Sequence, residues 1–166
     1  MTTKAGVGMS FHHSPTIAGH EAAENALEIA GISEPDFVFM FATVGYDQQS
    51  LLHAVREATG GAPLTGCSGE GTIGGEEADE SNNSVVVMVI SSDELRWTSG
   101  LAKGLSANSR AVGQEVAQSL SSELGADDVG LTSAGFIPDS SRRAKVGIPD
   151  KRCATESVVV RKEEPM

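Results

Sequence analysis

The most reactive side chain in a suggestive setting is Cys67, within "PLTGCSGEGTIGG" (63–75), where it stands beside Ser68 among five glycines and one acid. Three kinds of chemistry suit such a stretch. A thiol is a nucleophile when a base lies within reach and a third group orients that base. A glycine-rich turn can offer successive backbone N–H groups to an anion. Small residues can also let the backbone approach a ligand or a neighbouring strand. Four histidines could serve as bases, His12, His13, His20 and His53, and no spacing selects one of them for Cys67. Free cysteine is commonly buried as a small hydrophobe. The residues thus favour a structural or pocket-lining Cys67, with cysteine-dependent acyl or amide transfer as the enzymatic alternative. Neither the GxxxxGK[ST] loop nor a dinucleotide fingerprint is present, so no nucleotide is expected.

Tyr46 and Asp47 form the second group. Asp47 suits the N-cap of a following helix. With Ser68 the pair would also offer a phenol, a carboxylate and a hydroxyl to a polar ligand, and the carboxylate would suit an amino-acid ammonium group. His12 and His13 follow a first strand, where α/β folds usually place ligand contacts. Their plainer reading is solvated loop histidines near a helix start. His20 and His53 fall on predicted helices as surface or packing residues. "EEADE" (76–80) lacks calcium-loop spacing and reads as a solvated charge run.

The elements that must position these residues follow from hydrophobic period. A first strand is expected over 4–11, with small residues where something approaches the backbone. Ser14, Pro15 and Gly31 mark the cap, first position and stop of a helix whose apolar face includes Ile17, Ala18, Ala22, Ala26, Leu27 and Ile29. The continuous apolar run 36–44 implies a central strand covered on both faces. A helix over 48–61 ends at Gly60-Gly61. Residues 62–69 form a third strand running into the glycine-rich turn, 76–83 a solvated acidic linker, 84–92 and 95–105 two more strands, and 106–126 a third helix. The order βαβαβββα predicts an α/β fold, one mixed sheet with helices packed on it.

Composition excludes several partners. The chain of 166 residues carries a net charge of −11 with 4% aromatics. That charge disfavours nucleic acid and anionic membranes, and so few aromatics disfavour base stacking. The longest apolar runs are of strand length, too short to span a bilayer. The first fifteen residues hold no secretory h-region, and the two cysteines make no disulfide framework, so a soluble cytoplasmic protein is expected. Residues 1–125 hold 5 Lys and Arg against 16 Asp and Glu, whereas 126–166 hold 7 against 7. This break marks a boundary. Beyond it a poorly structured tail is expected, either a disordered extension or a non-native end produced by an interruption near residue 130.

"KAGVGMSFHHSP", a glycine-containing Ala-rich helix, "DFVFMFATVGYD", "PLTGCSGEGTIGG", "SVVVMVIS" and "LRWTSGLAKGLSANSRAVGQEVAQSL" occur in order over residues 4–125. Together they resemble the N-terminal FIST domain. The resemblance implies a non-enzymatic intracellular sensory module of signal transduction that binds a small ligand such as an amino acid. It also implies a following FIST C-terminal or output domain; none is recognisable within the chain, which is expected to be truncated. Some members are haem-containing nitric-oxide sensors, a second reading in which His12 or His13 would be the axial ligand. Against it stand the missing CxxCH and the scarcity of aromatics; otherwise no cofactor or metal is expected. Common members read Gly-Cys-Ser-Thr-Ala-Gly-Glu-Ile through the loop. Here Gly66-Cys67-Ser68-Gly69-Glu70-Gly71-Thr72-Ile73 places the acid two positions earlier. The expected ligand contacts are Tyr46, Asp47, Gly66, Cys67, Ser68, Gly69, Glu70 and Gly71.

Overall fold

The computed structural model of the chain describes residues 2–102, 108–121, 132–138 and 153–162. It is a mixed α/β structure divided into two units, Met1–Leu95 and Arg96–Lys162.

In the first unit, β1 (Thr3–Ser10), β2 (Phe37–Thr43), β3 (Leu64–Gly69) and β6 (Val85–Ser92) form one sheet in the order β1-β6-β2-β3. β6 is antiparallel to both β1 and β2, while β2 and β3 are parallel. β1, β2 and β3 therefore share one direction. Helices α1 (Pro15–Ala30) and α2 (Gln48–Ala58) supply the layer over one face. The core lies beneath them, where Ala18, Ala22, Ala23 and Ala26 of α1 meet Val38 of β2, Val85, Val87 and Val89 of β6, and Leu51 and Val55 of α2.

Small residues bring α1 unusually close to the sheet. A methyl group on Gly8 would lie 2.2 Å from the Ala22 carbonyl oxygen, and one on Gly6 would lie 2.2 Å from that of Ala26. The small residues expected in the first strand thus admit the helix that follows it. Pro15 occupies the first turn of α1, and Gly31 ends it with φ 62° and its N–H donating to the Glu28 carbonyl. Ser14 holds the cap position through its backbone alone, its carbonyl accepting from Ala18 N at 2.9 Å. Its side chain makes no cap hydrogen bond.

The acidic linker expected over 76–83 contains a strand. β4 (Thr72–Gly74) and β5 (Glu77–Asp79) form a two-residue hairpin around Gly75-Glu76. Gly75 has φ 59°, the left-handed conformation that a glycine supplies without steric cost at the first turn position. Charge masks the signal here, because Glu77 and Ala78 are both exposed and the strand buries little. Gly74 holds the hairpin to the sheet: a methyl there would lie 2.9 Å from both Met9 Sδ and Val86 Cγ1.

In the second unit, β7 (Leu95–Ala102), β8 (Thr132–Pro138) and β9 (Cys153–Lys162) form a sheet in the order β7-β9-β8, with β8 and β9 antiparallel. Two strands therefore occupy parts of the stretch beyond residue 126, whose sequence carries no clear period. Helix α3 (Ser109–Ser121) buries Val112, Val116 and Leu120 with Ala102. It begins three residues later than the period suggests, because the Asn108 side chain accepts from Ala111 N at 3.0 Å and sets the cap. The residues after 121 expected to continue α3 lie outside the described residues.

Candidate functional site

The carboxyl ends of β1, β2 and β3 reach one edge of the first sheet, joined there by the amino end of β6. Open α/β sheets generally bind ligands outside these strand ends. Residues from three connections are laced together. Tyr46, only 5% exposed, donates its hydroxyl to the His12 carbonyl at 2.9 Å and so ties the β2–α2 loop to the β1–α1 loop. His13 Nδ1 lies 3.2 Å from Asn83 Oδ1, on the segment entering β6. Gly45 allows the third contact, since a methyl there would lie 2.0 Å from the Asn82 carbonyl oxygen.

Beneath this rim lies a belt of buried hydroxyls. Thr43 Oγ1 accepts from Ser84 N at 2.9 Å, and the Ser84 and Thr72 hydroxyls bond to one another. All three residues are buried. Ser10 donates to a Glu21 carboxylate oxygen at 2.6 Å and accepts from His12 N at 3.2 Å. The hydroxyls thus fasten strand ends and loops while bringing one carboxylate to the site.

Burial pushes the Tyr46 phenol up to about 12, with the carboxylates of Asp79 and Glu21 adding to the shift. The folded state holds this proton more tightly than an ordinary phenol with pKa 10.0. Stability from Tyr46 is therefore complete below pH 10 and is lost as pH rises towards 12. The chain has a single tyrosine, so tyrosinate absorbance reads this one group. Its titration midpoint should fall near 12 in the native protein and near 10 in urea.

The expected site residues divide sharply. Tyr46 is at the rim. Asp47 is next to it but exposed, and its carboxylate accepts from Ser50 N at 2.8 Å as the N-cap of α2. Those Ser50 hydrogen bonds hold its carboxyl below the usual range. Gly66, Cys67, Ser68 and Gly69 lie in β3, paired with Met40, Phe41, Ala42 and Thr43. A methyl on Gly66 would sit 1.6 Å from the Met40 carbonyl oxygen, so that glycine accommodates the neighbouring strand. Glu70 and Gly71 form the exposed connection to β4, and a methyl on Gly71 would approach the Asp79 carbonyl to 2.9 Å. Cys67 is a half-buried free thiol.

Three of the histidines are engaged elsewhere. His12 Nδ1 accepts from Ser14 N at 3.0 Å, and His20 Nε2 lies 3.6 Å from a Glu57 oxygen. His53 is exposed on α2. None of the four is hydrogen-bonded to Cys67 among the described residues. Nor does the setting of His12 and His13 fit haem, which needs an enclosed apolar cavity beside its axial ligand. Both are exposed.

Glu21 and Asp79 escape the sequence reading, as do the buried hydroxyls of Ser10, Thr43, Thr72 and Ser84 and the Asn82-Asn83 segment. Thr43 and Ser84 had one legible signal, as polar residues ending apolar strand runs. Glu21 reads as part of the solvated helix face, and Asp79 as one acid among many.

The family model of the FIST N domain matches residues 36–161. No curated protein matches the chain. A crystal structure of an FtsZ-like protein of unknown function from Nostoc punctiforme PCC 73102 is 21% identical, covering 54% of this chain and 89% of that one with a TM-score of 0.27. So loose a superposition carries no structural argument. No helix among the described residues is long and apolar enough to cross a membrane. The family match spans more than half of the chain, from β2 through most of β9, and the chain belongs to the FIST N domain family, a sensory family of signal transduction.

Proposed function

We propose that the chain is a non-enzymatic sensory unit that binds a small ammonium-bearing ligand, such as an amino acid, at the rim of the first unit. The observation that carries this is the pair of carboxylates, Glu21 and Asp79, acting on the buried Tyr46 hydroxyl where two loops meet. Burial is the larger cause of the shift and disfavours either charge, but the negative field of the two carboxylates, which adds to it, favours a cation. Ser68, Glu70 and the backbone of Gly69 and Gly71 would contact the rest of the ligand from the end of β3, with Asp47 and Cys67 at the margin and Gly66 set back against Met40. The free thiol of Cys67 suits a reducing cytoplasm, and the partner expected is an output domain of a signalling protein. Signalling then requires that the ligand distinguish two states of the rim, since binding shifts only states it tells apart.

Isothermal titration with a panel of amino acids and their deaminated analogues tests this. At least one amino acid should give saturable heat, its deaminated analogue should not, and Glu21→Gln should weaken binding about tenfold, or about 1.4 kcal/mol. No heat from any amino acid sinks the reading, as does equal binding of the deaminated analogue.

A further inference from the structure

The free edge of β1 lies in a groove that the rim does not use. β1 ends its four-stranded sheet, with β6 on one side and, among the described residues, no strand on the other. Thr43 N donates to the Ser84 carbonyl at 2.9 Å, which fixes the phase of the β2–β6 ladder. Val85, Val87 and Val89 consequently turn their backbone groups towards β1, opposite Ser10, Gly8 and Gly6. The N–H and C=O groups of Ala5, Val7 and Met9 face outward. Such a row is a template for another strand.

The edge is recessed. Val7 and Met9 form the floor of an open groove of about 390 Å³, with Glu28 and Ile29 of α1 along one wall and Glu76 and Glu77 of the hairpin along the other. Both walls therefore carry carboxylates, and no cation lines the groove. Ile29 is 67% exposed and offers an apolar contact beside Glu28. Backbone groups give a strand-adding peptide its affinity, and the walls on either side select its alternating side chains.

We infer that this groove docks an extended basic segment of a partner protein, which adds to β1 as a fifth strand and sets its Lys or Arg side chains against Glu76 and Glu77, with the alternate apolar side chains towards Ile29. Charge complementarity selects this occupant. A second copy of the chain, at net charge −11, would bring like charge to a wall already acidic. The inference stands apart from the rim and does not depend on a small ligand.

The test is fluorescence anisotropy on the full chain with a short labelled peptide of alternating lysine and valine. Three comparisons accompany it: the glutamate–valine peptide, lysine–valine peptides N-methylated at alternate residues in each of the two phases, and the variant Glu76→Lys/Glu77→Lys. The basic peptide should bind saturably. The acidic peptide and the double variant should each weaken binding at least about tenfold. One N-methylated phase should lose binding while the other keeps it, because an added strand turns only alternate N–H groups towards β1. Failure of the basic peptide to bind overturns the inference. Equal binding of both N-methylated phases shows attraction without strand addition and overturns it as well. Undiminished binding to the double variant does the same by placing the peptide elsewhere.

Discussion

Leu51→Ala should lower the unfolding free energy by about 2–5 kcal/mol. Leu51 is fully buried on α2, within the cluster that includes Val55, Tyr46 and the alanines of α1. The loss combines removed apolar contact with the cavity left behind, and the surroundings have little freedom to close it. α1 cannot slide inward, because Gly19 already brings it close to α2: a methyl there would lie 2.8 Å from Ala54 Cβ and 3.0 Å from the Leu51 carbonyl oxygen. Urea unfolding followed by circular dichroism should show a lower midpoint at an unchanged slope. Ile73→Ala is the control. Ile73 is 83% exposed, and its removal should change stability by less than about 0.5 kcal/mol. Similar losses for both variants would refute this packing.

Gly8→Ala should cost about 1–3 kcal/mol although it adds only a methyl group. That methyl would meet the Ala22 carbonyl oxygen at 2.2 Å and Ala26 N at 2.7 Å. Both are backbone atoms of a 16-residue helix, so no side-chain rotation relieves the contact. The helix would have to withdraw from β1 while remaining packed on α2. Gly113→Ala offers the opposite outcome from the same chemical change. Gly113 lies within α3, and a methyl there meets nothing within 4 Å. This second substitution should stabilise the protein by about 0.4–1 kcal/mol by narrowing the unfolded ensemble. Thermal unfolding of the two variants should therefore shift in opposite directions.

The sequence made the local punctuation of the first unit legible. Pro15, Gly31 and Asp47 mark helix ends because each restricts the backbone, or satisfies it, within a few residues. The apolar runs within 36–44 and 84–92 declare strands, but Phe41, 43% exposed, shows that the first is not covered on both faces as its run implies. Long-range partners are written differently. Nothing local tells that Gly6 and Gly8 face a helix, that Gly66 faces Met40, or that the Tyr46 hydroxyl meets a carbonyl 34 residues earlier. The same holds for Glu21 and Asp79, whose neighbours exist only after the chain has folded. The β4–β5 hairpin stayed hidden because a short strand exposing Glu77 and Ala78 has neither an apolar run nor a buried alternation. The position of Tyr46 at the strand-end rim was legible as that of a residue just past a buried strand. The role of the glycines around Cys67 was not, since a close approach to a ligand and one to a strand call for the same residue.

The position of β6 has a consequence for the order in which the chain can assemble. β1 and β2 are successive strands joined by a helix, yet they do not pair with each other; β6 lies between them. During synthesis, a nascent chain ending before Val85 would hold β1, α1 and β2 without the strand that joins them. Pairing Thr3 with Ser92 closes a loop of nearly the whole first unit before its reward is collected. Contacts so distant in sequence slow folding. The first unit should therefore gain its sheet late and in one step, with β6 as the keystone and β2 exposed as an edge until it arrives.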